Sequence, residues 1–374
     1  YSRWRRWSSI FCNSRWKKPI RNSGSFRKGS YVFGLTLIRR LSINKIINTK
    51  RTQVKTSFIN LQTHIPFSKN TCNPIDYNSK IFLLGSCFSD NIGQKLSYHK
   101  FQSILNPFGI LFHPKAIETV IKNALCKKEY TEKDIFFFNE RWQSFAAHSK
   151  LSSSSKEEAL NQLNQASTLI NTALKSSTHI IITLGTSWVY RLLESDEIVA
   201  NCHKVSQHKF KKELLSIVEI NKSLSSIISL IRKVNPDINF IFTVSPIRHL
   251  KDGFIENQQS KSHLISALHQ IIKKQENTFY FPSYEIMMDE LRDYRFYKED
   301  MIHPNQIAIN YIWEKFYENW LSDEAIDLKK QVIKIQRGLE HKPFNPDSKK
   351  HQQFLSSLQE KIEILKKKHS HISF

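Results

Sequence analysis

The sequence predicts an α/β protein with a mostly parallel central sheet, helices on both of its faces, and a helical tail at the C-terminus. Three observations carry that expectation. Short apolar runs (Ile81 to Leu84, His179 to Leu184, Ile238 to Val244, Thr278 to Phe281) alternate with longer segments in which apolar residues recur at helical spacing. The runs are nearly continuous rather than alternating, as in strands covered on both faces. Ser86, Gly185, Ser245 and Asp300 follow these strands or occupy loops near them, at the carboxyl ends where open α/β sheets carry their sites.

In chain order, short extended pieces such as Phe58 to Gln62, broken by Pro66 and Pro74, read as a lead-in strand and loop. The strand before Ser86 comes next, then a helix over Phe88 to His99. Asn106 to Gly109 reads as a turn whose glycine brings a backbone N–H toward Ser86, and His113-Pro114 opens a helix through Ala124. Ile135 to Phe138 and Trp142 to Ala146, around Asn139-Glu140, suggest an inserted hairpin. Ser155-x-x-Glu158 is a capping box that starts a helix with Leu160, Leu163, Leu169, Ile170 and Leu174 on one recurring face. Helices are expected over Phe210 to Val234, Asn257 to Lys274 and Asn305 to Leu321, the last with Pro304 at its first position. Glu324 to Leu339 and Lys349 to Lys368 form the tail. Its apolar residues (Ile333, Ile335, Leu355, Leu358, Ile362, Leu365) are expected to dock on the core rather than on a second copy.

Composition narrows the function classes. The 374 residues are 40% hydrophobic and 24% charged, ordinary for a globular protein. No run reaches the length of about 18 apolar residues that a membrane-spanning helix needs. Five scattered cysteines without C-x-x-C spacing suggest neither a disulfide framework nor a zinc knuckle, and a cytoplasmic, reducing location fits them. Of the net charge of +23, +13 sits in residues 1–50, which hold no Asp or Glu, leaving +10 for the rest. Nucleic acid is therefore not the expected partner. Residues 1–50, in which Trp4, Trp7 and Trp16 mix with Arg and Lys, keep no period and do not read as part of a fold. A nucleic-acid arm, an organelle leader and a start upstream of the true one compete as explanations, and the last is preferred.

The chemistry-bearing residues lie in two stretches. In Ile81-Phe82-Leu83-Leu84-Gly85-Ser86 a buried strand breaks at a glycine and delivers a serine to a helix N-terminus, where backbone N–H groups stabilise an oxyanion. The plain alternative for Ser86 is an N-cap. Far downstream, Asp300 and His303 are three residues apart on the loop entering a helix, so that Asp300 orients His303 and His303 acts as base toward Ser86. Here the plain alternative is a surface Asp and a capping His. Cys87 is the local rival nucleophile. Trp188, Tyr190, Arg248, His249 and Lys261 are candidates for shaping a pocket, each with an ordinary core or surface role as alternative.

Gly85-Ser86-Cys87-Phe88-Ser89 resembles the signature of the GSCFA-domain family, with Ser89 where alanine is usual. Asp300-x-x-His303-Pro304 resembles the last block of the SGNH (GDSL-like) hydrolases, the wider class to which GSCFA belongs. The resemblance also takes in Asn106 to Phe112, Leu184 to Tyr190, Asn201 to Lys204 and Val244 to Gly253, and spans roughly Lys55 to the C-terminus. It implies a three-layer α/β/α fold. It divides the chain into a basic leader (1–54), a catalytic domain (55–322) and a helical extension (323–374). The implied activity is that of a serine acyl-ester hydrolase, an esterase or carbohydrate deacylase acting on a small-molecule or carbohydrate ester. Carbohydrate O-acyl transfer and an inactive binding or scaffold protein are the alternatives. The resemblance makes Ser86 the nucleophile and Cys87 a buried filler; Asp300 and His303 complete the catalytic set, with the N–H groups of Ser86 and Gly109 as oxyanion donors. Asn106, Gly109, Gly185 and Thr186 are the substrate-binding candidates. No metal or organic cofactor is implied. Where SGNH enzymes carry an asparagine after a central strand, this chain has Gly185-Thr186-Ser187, so the Thr186 or Ser187 hydroxyl, or Asn106, is the expected substitute.

Overall fold

A computed structural model describes residues 62–374. In chain order its elements are β1 (Lys80–Gly85), α1 (Cys87–Tyr98), β2 (Gln102–Leu105), α2 (Pro114–Leu125), β3 (Phe136–Phe138), β4 (Arg141–Gln143) and α3 (Lys156–Ser176). They continue with β5 (His179–Leu184), β6 (Trp188–Leu192), β7 (Ile198–Val199), β8 (Phe210–Leu214), α4 (Ile217–Arg232), β9 (Asn239–Val244), α5 (Phe254–Ile272) and β10 (Thr278–Phe281). A short α6 (Ser283–Glu285), α7 (Gln306–Trp320), α8 (Asp323–Glu340) and α9 (Lys349–Lys368) complete the chain. Among the described residues, no helix is long and apolar enough to cross a membrane.

Five strands form one all-parallel sheet in the order β2-β1-β5-β9-β10. Side chains alternate across it and feed two cores. Phe82, Leu84, Ile180, Ile182, Phe240 and Phe242 meet α2, α3, α4 and α5 on one face. Ile81, Leu83, Ile181 and Ile241 meet α1, α7, α8 and α9 on the other. The result is a three-layer α/β/α sandwich, and the unbroken apolar runs follow from burial of both sheet faces. The tail helices dock on the second core through Val332, Ile335, Leu358, Ile362 and Leu365. Ile333 is only half-buried and Leu355 is exposed, so the docked stripe is narrower than the sequence suggests.

The chain runs from β1 outward to β2, and then returns past β1 to β5. The switch point of the sheet therefore lies between β1 and β5, the place where open α/β sheets carry their sites. Ser86 and Gly185 immediately follow these two strands.

Several expectations need correction. Phe210 to Leu214 is not the start of a helix but strand β8, antiparallel to β6, which also pairs with β7. Helix α4 begins after Ser216, whose hydroxyl and backbone N–H form a reciprocal capping box with Glu219. Ser155, by contrast, is a plain N-cap, because the Glu158 carboxylate takes Gln162 as its partner. Pro304 lies outside α7: Asn305 is the N-cap and accepts from Ala308 N, while Pro304 bridges to Tyr297. The hairpin is present as β3 and β4, but its second strand stops at Gln143. Helix α5 starts at Phe254, three residues early, after Gly253 turns the chain with φ of 109°. The proposed lead-in strand at Phe58 and the reading of residues 1–50 fall outside the described residues.

Candidate active site

At the end of β1 the backbone makes a turn open only to glycine. Gly85 has φ of 136° and lies directly against the Thr183 backbone of β5. Ser86 follows as the N-cap of α1. Its N–H donates to Thr183 O at 3.0 Å, and its Oγ accepts from Phe88 N at 3.4 Å. Ser86 has 0% exposure. Ser89, in the first turn of α1, donates its hydroxyl back to Leu84 O at 3.3 Å.

The loop after β2 closes over the switch point. Leu111 N donates to Gly85 O, and the N–H groups of Gly185 and Thr186 both donate to Phe112 O, so one stretch of chain bridges the ends of β1 and β5. Asn106 braces that loop from below: its Oδ1 accepts from Gly85 N at 2.9 Å and its Nδ2 donates to Asp90 Oδ1 at 2.8 Å.

Asp300 and His303 form a closed local unit at the entry to α7. The Asp300 Oδ1 accepts from the N–H groups of Ile302 and His303, each at 2.9 Å, and Oδ2 accepts from His303 Nδ1 at 2.7 Å. These bonds, the one from His303 N foremost, hold the carboxyl down at about 2, so Asp300 is ionised at any physiological pH. The imidazole is oriented with Nε2 as its remaining nitrogen, and the His303 side chain is 41% exposed. The loop is tied to the end of β9 by Arg248 N, which donates to Ile302 O at 3.3 Å.

The structure redistributes several expected roles. The N–H groups of Ser86 and Gly109 are both committed, to Thr183 O and Asn106 O respectively, so neither is an open oxyanion donor in this state. Thr186 and Ser187 turn their hydroxyls to Ser260 on α5, because that buried serine is their nearest polar partner. Gly185 presents no side chain and is packed between Phe112 and His249. Lys261 is fully buried beneath the strand ends, where its Nζ donates to Gly185 O and Ser245 O. Trp188 donates Nε1 to Glu256 O, and Tyr190 packs in a small separate cluster with Phe210. Among the described residues, no hydrogen bond joins Ser86 to His303.

Cys87 is half-buried and packs beside the second core. Burial raises its thiol above the ordinary value, so it is protonated at neutral pH. Iodoacetamide at pH 7 should therefore alkylate Cys87 more slowly than exposed Cys72 or Cys126, as peptide mapping over a time course would show. Labelling of Cys87 ahead of both would mean an activated thiolate and would reopen the question of the nucleophile.

No curated protein matches the chain. Among solved structures, a family 3 carbohydrate esterase from Clostridium thermocellum is 11% identical with a TM-score of 0.31, over 70% of this chain and 99% of that one. A carbohydrate esterase family 3 protein from Talaromyces cellulolyticus is 9% identical with a TM-score of 0.32, over 67% and 98% of the two chains. Likeness at this level does not extend to activity. Residues 332–374, which include the second half of α8 and all of α9, match the model described as the GSCFA domain protein, C-terminal domain. The GSCFA family model covers residues 80–316, from the first residue of β1 through most of α7 and so across the strand-end serine, the bridging loop and the Asp300–His303 unit, and this chain belongs to the GSCFA family.

Proposed function

We propose that this protein is a serine acyl-ester hydrolase that takes a small-molecule or carbohydrate ester. The observation that carries the reading is the Asp300–His303 unit: an ionised carboxylate bonded at 2.7 Å to Nδ1 leaves Nε2 as the proton acceptor. In the proposed reaction Ser86 Oγ attacks the ester carbonyl as its proton passes to Nε2. The tetrahedral adduct collapses, the alcohol leaves with that proton, and water, activated by the same nitrogen, releases the acid and restores Ser86.

Because Ser86 is fully buried, the cycle includes an opening step that admits the ester and brings Nε2 to Oγ. With the Ser86 and Gly109 N–H groups engaged, the positive N-terminal end of α1, the Cys87 N–H and the second N–H of Asn106 Nδ2 take the oxyanion role.

The test is labelling of the intact protein with a fluorophosphonate, peptide mapping of the adduct, and turnover across a panel of acyl esters with and without a sugar acceptor. Modification of Ser86 with release of free acid supports hydrolysis; transfer to the sugar instead moves the reading to acyl transfer. The closed Ser86 hydroxyl favours a non-catalytic carbohydrate-binding or scaffold protein, and absence of both labelling and turnover would select it. Asp300→Asn keeps the shape of the acid but removes its charge. It should lower kcat by about 10³- to 10⁴-fold, less than loss of the nucleophile, while leaving KM nearly unchanged. Full activity in Asp300→Asn would remove Asp300 from the mechanism.

A further inference from the structure

Lys261 sits on α5 with no exposure, and its Nζ donates to two backbone carbonyls, Gly185 O and Ser245 O, each at 2.7 Å. These are the residues that immediately follow β5 and β9. Each carbonyl begins a short chain of contacts to one half of the site. On one side, Gly185 N donates to Phe112 O, and Leu111 N donates to Gly85 O, the residue before Ser86. On the other, the chain runs from Ser245 to Arg248, whose N–H donates to Ile302 O, the residue before His303.

We propose that Lys261, in its charged form, is the positioning residue that holds the Ser86 and His303 arms of the site in register; this rests on the hydrolase reading above. Charge-assisted bonds to carbonyls are stronger and better centred than those of a neutral amine. An ammonium buried without a carboxylate would be costly unless its place were useful. The titratable groups facing Lys261 are Cys87 on α1, His249 on the loop after β9, and Tyr284 on α6, whose ring centroid is 5.7 Å from Nζ. Lys298 and Asp90 act on Cys87, and His303 acts on His249.

All three facing groups are uncharged at neutral pH. Burial raises the Cys87 thiol and the Tyr284 phenol, while burial, with Lys261 and His303 nearby, lowers His249 to about 3. Burial, only partly offset by Cys87, brings Lys261 down to about 7. The clamp is therefore tightest on the acid side of neutrality and slackens as pH rises.

The experiment measures kcat and KM for one ester from pH 6 to 9.5 in the full chain and in Lys261→Met and Lys261→Arg. The wild type should lose kcat/KM on the alkaline side as Lys261 deprotonates. Lys261→Met should lower kcat by about 10- to 100-fold, the scale of a small misplacement of reacting groups, with KM little changed and that alkaline limb gone. Lys261→Arg, whose guanidinium keeps its proton, should recover part of kcat and also lack the limb. A limb that persists in either variant, or wild-type kcat in Lys261→Met, overturns the proposal. If Lys261→Met does not fold, the wild type and Lys261→Arg decide it.

A second readout needs no activity. The folded pKa lies below that of the unfolded chain, so burying the charge costs stability most below pH 7 and progressively less from there toward pH 10. The stability of the wild type relative to Lys261→Arg or Lys261→Met should accordingly rise over that window, and a flat difference, which means that Lys261 keeps its proton, rejects the slackening of the clamp with pH. If the wild type shows neither fluorophosphonate labelling nor turnover, the hydrolase reading falls, and this stability difference alone judges whether Lys261 titrates in place.

Discussion

Ser86→Ala and His303→Ala should each reduce ester hydrolysis by about 10⁴-fold or more in kcat, and the double variant should be little worse than either one. The non-additivity is the informative part. A nucleophile and its base act as one unit, so the second substitution removes a function already lost. Neither change should unfold the protein. Ser86→Ala deletes a hydroxyl whose one described bond is a long cap contact from Phe88 N at 3.4 Å, worth about 1 kcal/mol. His303 is half-exposed, and the backbone bonds that hold its loop to Asp300 do not use the imidazole. Thermal unfolding beside the kinetics separates the two effects. Residual activity in Ser86→Ala that disappears on adding Cys87→Ala would pass the nucleophile to the thiol, whereas additive losses would mean that Ser86 and His303 do not share one proton.

The second large effect is on stability. Gly85→Ala should cost about 4 kcal/mol or more, or leave no folded protein, because a Cβ built there stands 2.1 Å from Thr183 O and within 3 Å of two further Thr183 backbone atoms. Those atoms belong to the central strand β5, which is bonded on both sides and cannot yield. The φ of 136° adds strain that no L side chain relieves. Gly93→Ala is the matched control: its Cβ would meet only the side-chain tip of Leu105, which can rotate away, so its cost should be much smaller. Urea unfolding of both variants measures the gap, and equal stabilities would show that the strand end is not closed as described.

The Ser86 strand, the Asp300–His303 loop and the alternation of elements were legible from residues alone, since each rests on local chemistry. A continuous apolar run such as Ile180 to Leu184 is stable only when both faces are covered. An aspartate two and three residues before free N–H groups bonds them wherever the chain ends up, as Asp300 does with Ile302 and His303. Strand β8 was misread because Phe210, Leu214, Val218 and Ile227 keep a helical repeat across Ser216, and only pairing with β6 turns the first part into a strand. The capping box at Ser216 and Glu219 was the signal that marked the true helix start.

What the amino-acid sequence by itself determined is therefore the set of parts: buried strands, amphipathic helices, a strand-end serine and a self-contained acid–histidine pair. Tertiary structure alone decided how those parts act on one another. The order β2-β1-β5-β9-β10 puts Ser86 at the switch point. The loop at Leu111 and Phe112 joins the ends of β1 and β5, the N–H groups of Ser86 and Gly109 are taken up by carbonyls, and Lys261 reaches Gly185, 76 residues away in the chain. The physical reason is that a hydrogen-bond donor carries no mark of its acceptor. Local spacing can specify a bond across three residues, but a bond between distant segments depends on which strand ends the packed sheet has made neighbours, and on which polar groups burial has left without water.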